Sequence, residues 1–91
     1  MKESAVEKIL QMEAVKAGGI SYKLAPTVVG MPDRMVIHKG VIYLVELKTE
    51  TGRLSPGQKL LHNRLRAHGV EPIVLYGAEE VRTWVRSTLT S

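Results

Sequence analysis

Residues 41–47 constrain this chain more than any other stretch. Val41, Tyr43, Val45 and Leu47 fall on one side of an extended strand, and Ile42 and Leu44 on the other. A strand apolar on both faces belongs in the middle of a sheet that is covered on both sides. Lys39-Gly40 just before it is a two-residue turn, which pairs it as a hairpin with a strand over residues 35–38. At the strand's exit the pattern turns polar, and Glu46 and Lys48 arrive on one face, two residues apart. Charges entering a covered sheet are costly unless they are paired or ligated. The strand end is therefore the first place to look for chemistry.

The flanking sequence supplies the other layers. Residues 4–17 carry Val6, Ile9, Leu10 and Ala14 at helical spacing, and Gly18-Gly19 stops the helix. A short strand is predicted over 20–24, followed by a loop from Ala25-Pro26 through Gly30-Met31-Pro32. Beyond a polar loop at 49–54, Ser55-Pro56-Gly57-Gln58 is a strong helix start. It has Ser as N-cap, Pro at the first helical position and Gln at the third. Leu60, Leu61, Leu65 and Ala67 predict the buried stripe of that helix, which Gly69 ends. A strand follows over 72–76, then a helix over 78–87 that packs through Val81, Trp84 and Val85. This order predicts an α/β fold: a central mixed β-sheet flanked by helices, in the order α-β-β-β-α-β-α, as one domain over 1–91.

Composition closes several routes. Ninety-one residues support a single core. No cysteine is present, so there is no disulfide framework, thiolate zinc site or thiol nucleophile. Aromatic residues make up 4%, too few for a single-strand-binding module built on stacking platforms. No apolar run nears the ~20 residues of a membrane span, and no signal-peptide core opens the chain, which predicts a cytoplasmic protein. The net charge of +4 permits a polyanionic partner without requiring one. Residues 51–91 hold six basic and three acidic side chains, so the excess lies toward the C-terminus.

Asp33, the only aspartate, stands at the entry to the first hairpin strand. Antiparallel pairing sets the start of one strand beside the end of the next, which would bring Asp33 to Glu46. Two converging carboxylates make a hard, oxygen-rich site suited to Mg²⁺ or Mn²⁺, with the Leu47 carbonyl as a third oxygen. Lys48 beside it would orient an attacking water or stabilise a pentacoordinate phosphate. Read alone, Asp33 is equally ordinary turn chemistry after proline.

Gly30-Met31-Pro32-Asp33, then Val45-Glu46-Leu47-Lys48-Thr49, then Leu54-Ser55-Pro56-Gly57-Gln58 resembles the virus-type replication-repair nuclease (VRR-NUC) family. That family belongs to the PD-(D/E)xK superfamily of restriction-endonuclease-like nucleases. The resemblance spans nearly the whole chain, including Gly18-Gly19 after the first helix. It implies a Mg²⁺- or Mn²⁺-dependent deoxyribonuclease with Asp33, Glu46 and Lys48 at its catalytic core. It also implies a further metal-binding glutamate on the first helix, assigned to Glu7 with Glu3 in reserve. Gln58 carries two compatible readings, as the closing residue of a capping box on Ser55 and, in the resemblance, as a glutamine near the metal or scissile phosphate.

The resemblance further implies a structure-selective endonuclease acting on branched DNA such as four-way (Holliday) junctions, in a viral or bacterial setting. Lys23, Arg34, Arg53, Lys59, Arg64 and Arg66 are the basic residues nearest the motifs and the candidate phosphate contacts. A chain this short leaves no room for a sequence-reading domain, so DNA shape would select the substrate. Cutting a junction symmetrically needs two sites, which predicts a homodimer, with Val81, Trp84 and Val85 as candidate contacts. His38, His62 and His68 lack zinc-ligand spacing and read as surface groups or supports behind the site. Two other classes compete: a catalytically silent DNA-binding or dimerisation module of the same fold, and a small regulatory protein whose carboxylates are only ion pairs.

Overall fold

A computed structural model describes residues 1–25 and 27–90. Pro26, placed by sequence in the connecting loop, and Ser91 lie outside the described residues. The elements are α1 (Glu3–Lys16), β1 (Ile20–Lys23), β2 (Arg34–His38), β3 (Val41–Lys48), α2 (Pro56–Ala67), β4 (Ile73–Tyr76) and α3 (Gly77–Trp84). A π-helical turn, Val85–Leu89, continues α3. The sequence reading drew α3 and this turn as one helix.

The four strands form one mixed sheet in the order β1-β2-β3-β4. The first two pairings are antiparallel, and β3 pairs with β4 in parallel through the α2 crossover. The Lys39-Gly40 turn takes φ of 49° and 80°, the left-handed pair that a two-residue hairpin needs to match strand twist. Glycine at the second position adopts this without strain.

One face of the sheet is a packed core. Val6, Leu10 and Ala14 recur every four residues on α1 and bury against Val36, Val45 and Leu47, with Leu75, Val81, Val85 and Leu89 completing the cluster. At its margin Tyr43 meets Trp84 edge-on, with centroids 5.3 Å apart and planes at 87°. Such a pair contributes about 1 kcal/mol beyond the area it buries.

The opposite face differs from expectation. Paired residues share a face, so the register sets Ile20, Tyr22, Met35, Ile37, Ile42 and Leu44 together there. Ile42 is 61% exposed, and Ile20 and Tyr22 are exposed as well. The start of β3 is therefore covered on one side only. The α2 stripe departs in the same way. Leu60 is 58% exposed, Leu61 and Leu65 are half-buried, Ala67 is exposed, and the residue α2 fully buries is His62. Periodicity identifies a shared face but not whether a neighbour covers it.

Candidate active site

The hairpin register fixes the first relationship. Arg34 pairs with Val45, so Asp33, one residue earlier, stands opposite Glu46. Asp33 Oδ2 accepts a 2.8 Å hydrogen bond from the Leu47 backbone N–H, which holds the carboxylate against the end of β3. Upstream, Gly30 lies against the first turn of α2. With φ of +88°, it leaves so little space that a Cβ would stand 2.3 Å from the Gly57 carbonyl oxygen. This contact packs the Gly30-Met31-Pro32-Asp33 segment onto the N-terminus of α2.

That N-terminus reaches Glu46. The Ser55 side chain accepts from the Gln58 backbone N–H at 3.1 Å, and Gln58 Oε1 accepts from the Ser55 N–H at 2.8 Å, a complete capping box. The same Gln58 amide donates through Nε2 to Glu46 Oε2 at 3.1 Å. The capping reading of Gln58 is realised, and the same side chain also holds the Glu46 carboxyl.

Glu46 is 1% exposed. Burial, then the hydrogen-bonding and charge of Asp33 beside it, push its pKa up to about 8, while Lys48 pulls it down. Its Oε1 is buried without a hydrogen-bond partner and lies 4.0 Å from Nε2 of His62, itself 1% exposed. Burial, with Arg66 nearby, lowers the pKa of His62 and favours the neutral ring. Lys48 is half-buried and makes no hydrogen bond or salt bridge among the described residues. Its amine is uncommitted.

The donor set suits a hard divalent cation. Two carboxylates sit side by side, and the buried one carries an unsatisfied oxygen and a raised pKa. A cation between them would offset the mutual repulsion of the pair and lower that raised pKa. Asp33, Glu46 and the Leu47 carbonyl are the groups that could hold it. Among the described residues no three His, Asp or Glu side chains form a metal cluster. Glu7 stands apart, with its Oε1 held by Arg34 Nη1 at 2.6 Å. The charge of the other helix acid, Glu3, reaches Glu46 and contributes to raising its pKa.

The basic residues divide. Arg34 is buried and cannot be an open phosphate contact as placed. Its guanidinium binds Ser21 Oγ at 2.8 Å, the Ser21 carbonyl at 3.1 Å and Glu7, tying β1, β2 and α1 together. Arg66 is held by Glu71 at 2.7 Å and by Asn63. Lys23, Arg53, Lys59 and Arg64 are exposed. Arg53 and Lys59 line one cavity of about 400 Å³ with Tyr76, and Arg64 lines another of about 240 Å³ with Val28, Val29 and Leu60. His38 is buried rather than on the surface, whereas His68 is exposed. Val81 and Val85 lie in the core, which removes them as dimer contacts. Sequence alone leaves His62 as either a surface group or a support behind the site, and its burial beside Glu46 excludes the first. Its spacing four residues after Gln58, on the same helical face, was the available signal.

No family model matches the chain. It is 42% identical over 77 residues to "Putative nuclease p44" of Acyrthosiphon pisum secondary endosymbiont phage 1, covering 82% of this chain and 83% of that protein. A solved structure described as a VRR_NUC domain superposes with a TM-score of 0.83 at 29% identity, over 94% of this chain and 96% of the other. The chain belongs to the VRR-NUC family. A second solved structure, a VRR_NUC domain protein at 14% identity and TM-score 0.75, shares the fold over 96% of this chain and 87% of its own. The VRR-NUC sheet and its flanking helices are thus the architecture that sets Asp33 beside Glu46. Among the described residues no helix is long and apolar enough to cross a membrane.

Proposed function

We propose that this VRR-NUC chain is a Mg²⁺- or Mn²⁺-dependent endonuclease that hydrolyses phosphodiester bonds of branched DNA. The observation that carries this reading is the convergence of Asp33 and Glu46 at a hairpin end, with the uncommitted amine of Lys48 one residue past Leu47. A divalent cation bound there supplies charge neutralisation at the scissile phosphate and acidifies a water. Asp33, Glu46 and the Leu47 carbonyl hold it. Lys48 orients the attacking water and stabilises charge building on the phosphate. Gln58 keeps Glu46 aimed. On α1, Glu3 is the acid whose charge reaches Glu46, whereas Glu7 is tied to Arg34. Lys23, Arg53, Lys59 and Arg64 take backbone phosphates and select by shape.

The second active site needed for a four-way junction comes from a second copy. The sheet face carrying Ile20, Tyr22, Ile42 and Leu44 fits that role. Two chains of net charge +4 repel, and the six residues at the Ile42 end of this face include no charged side chain, Glu46 and Lys48 lying at its far end. It can therefore meet itself across a two-fold axis, whereas DNA is drawn to the lysines and arginines elsewhere.

Purified protein incubated with labelled four-way, flapped and linear DNA, with Mg²⁺, Mn²⁺ or a chelator, tests the activity. We expect cation-dependent cleavage that favours the four-way substrate. Glu46→Gln and Lys48→Ala each lower the rate at least about 100-fold. Glu3→Gln lowers it more than Glu7→Gln does, if the helix acid that reaches Glu46 is the one that serves the site. An absence of cleavage on all substrates, across both metals and low salt, defeats the nuclease reading.

A further inference from the structure

We infer that His62 is a positioning residue for Glu46, donating its ring N–H to the Glu46 oxygen that Gln58 leaves free. The inference rests on the cation site proposed above and adds a residue to it. Gln58 and His62 are four residues apart on α2, so they project from the same side of the helix. Gln58 already donates to Oε2 of Glu46. His62 Nε2 lies 4.0 Å from Oε1, and both of those atoms are buried without a hydrogen-bond partner.

Unpartnered buried polar atoms are rare in native proteins because each forfeits its hydration. Here two of them, of complementary chemistry, face each other across a gap slightly beyond hydrogen-bonding distance. A small rotation of either side chain closes it and satisfies both, and such bonds commonly tighten when a site is loaded. An apolar residue would fill this space without cost, yet α2 spends its one fully buried position on an imidazole. Once Glu46 is ionised, a donor on each oxygen restricts its carboxylate to one orientation for a cation. The gain lies in preorganisation of a ligand.

Calorimetric titration of the 91-residue chain with Mn²⁺ tests this, alongside the Mn²⁺ dependence of cleavage and thermal melting of the metal-free protein. We expect His62→Leu to weaken Mn²⁺ binding at least fivefold and to raise the half-saturating Mn²⁺ for cleavage by the same factor. The KM for DNA should stay unchanged and the melting temperature should not fall. His62→Gln, whose amide supplies a donor, should bind Mn²⁺ within twofold of wild type, and the exposed His68→Leu should match wild type. His62→Leu that binds Mn²⁺ like wild type overturns the inference, as does a folded His62→Gln no better than His62→Leu. Should His62→Leu fail to fold, His62→Gln decides alone: a fivefold loss overturns the inference. If wild type binds no Mn²⁺, or Glu46→Gln binds it equally well, the cation site itself fails and the role of His62 falls with it. A normal wild type, a defective Glu46→Gln and an unchanged His62→Leu would remove His62 alone.

Discussion

Gly30 and Gly57 approach so closely that no side chain can stand between them, and their contact locks the Asp33 segment to the helix that holds Glu46. Gly30→Ala meets both a clash with backbone and a φ of +88° that L-residues resist. It should destabilise the protein by about 3 kcal/mol or more and abolish cleavage. Gly40→Ala has a similar φ of +80° but open space around it, so about 1–2 kcal/mol is expected, with cleavage retained. Urea unfolding of both variants measures the difference.

Glu46 gives the metal-free protein a pH signature. Its folded pKa of about 8 lies above the ordinary 4.5, so the folded state binds this proton more tightly than the unfolded state does. The resulting stability is full below pH 4.5 and is lost as pH rises through 8. His62, with a lowered pKa, works the other way, and its contribution is lost only as pH falls below its ordinary 6.5. Between pH 6.5 and 8 the Glu46 effect stands alone of the two. Stability should fall there as pH rises, by about 1 kcal/mol per pH unit. Urea unfolding in chelator at several pH values reads the slope, and Glu46→Gln should flatten it.

The basic residues should separate by experiment as they do in space. Removing Arg53 and Lys59 together should reduce the slope of log affinity against log salt by about 1.8, since each phosphate contact contributes about 0.9. Arg66→Ala should leave that slope unchanged, because Glu71 already holds the charge. Arg34→Met should act on folding, costing about 3 kcal/mol through loss of the buried link among α1, β1 and β2. Salt titrations of DNA binding and denaturant unfolding distinguish the two behaviours.

The uncovered sheet face predicts association. Sedimentation at micromolar concentration should show a dimer for wild type and a monomer for Ile42→Lys, a site already 61% exposed. The monomer should nick a four-way junction on one strand without the paired cut. A wild-type monomer at that concentration would place the second cut outside this chain.

Much of the site was legible in sequence because local rules fixed it. Lys39-Gly40 sets the hairpin and hence the Asp33–Glu46 register, and Ser55-Pro56-Gly57-Gln58 writes the cap before the helix forms. What stayed hidden depended on what packs where. Leucines at helical spacing imply a core, yet Leu60 faces solvent and His62 takes the buried position. Arginine after Pro-Asp reads as surface charge, yet Arg34 turns inward because Glu7 and Ser21, distant in sequence, meet its guanidinium. Charge counts carry no information about such partners.

The double duty of Gln58 couples two otherwise separate properties. One amide both starts α2 and steadies Glu46, so loosening of the first turn also withdraws the donor from Glu46 Oε2. Asp33 keeps its own bond to the Leu47 N–H. The strength of a helix end and the aim of one carboxyl group therefore rise and fall together, and a change that weakens the cap alters the acidic pair without touching it.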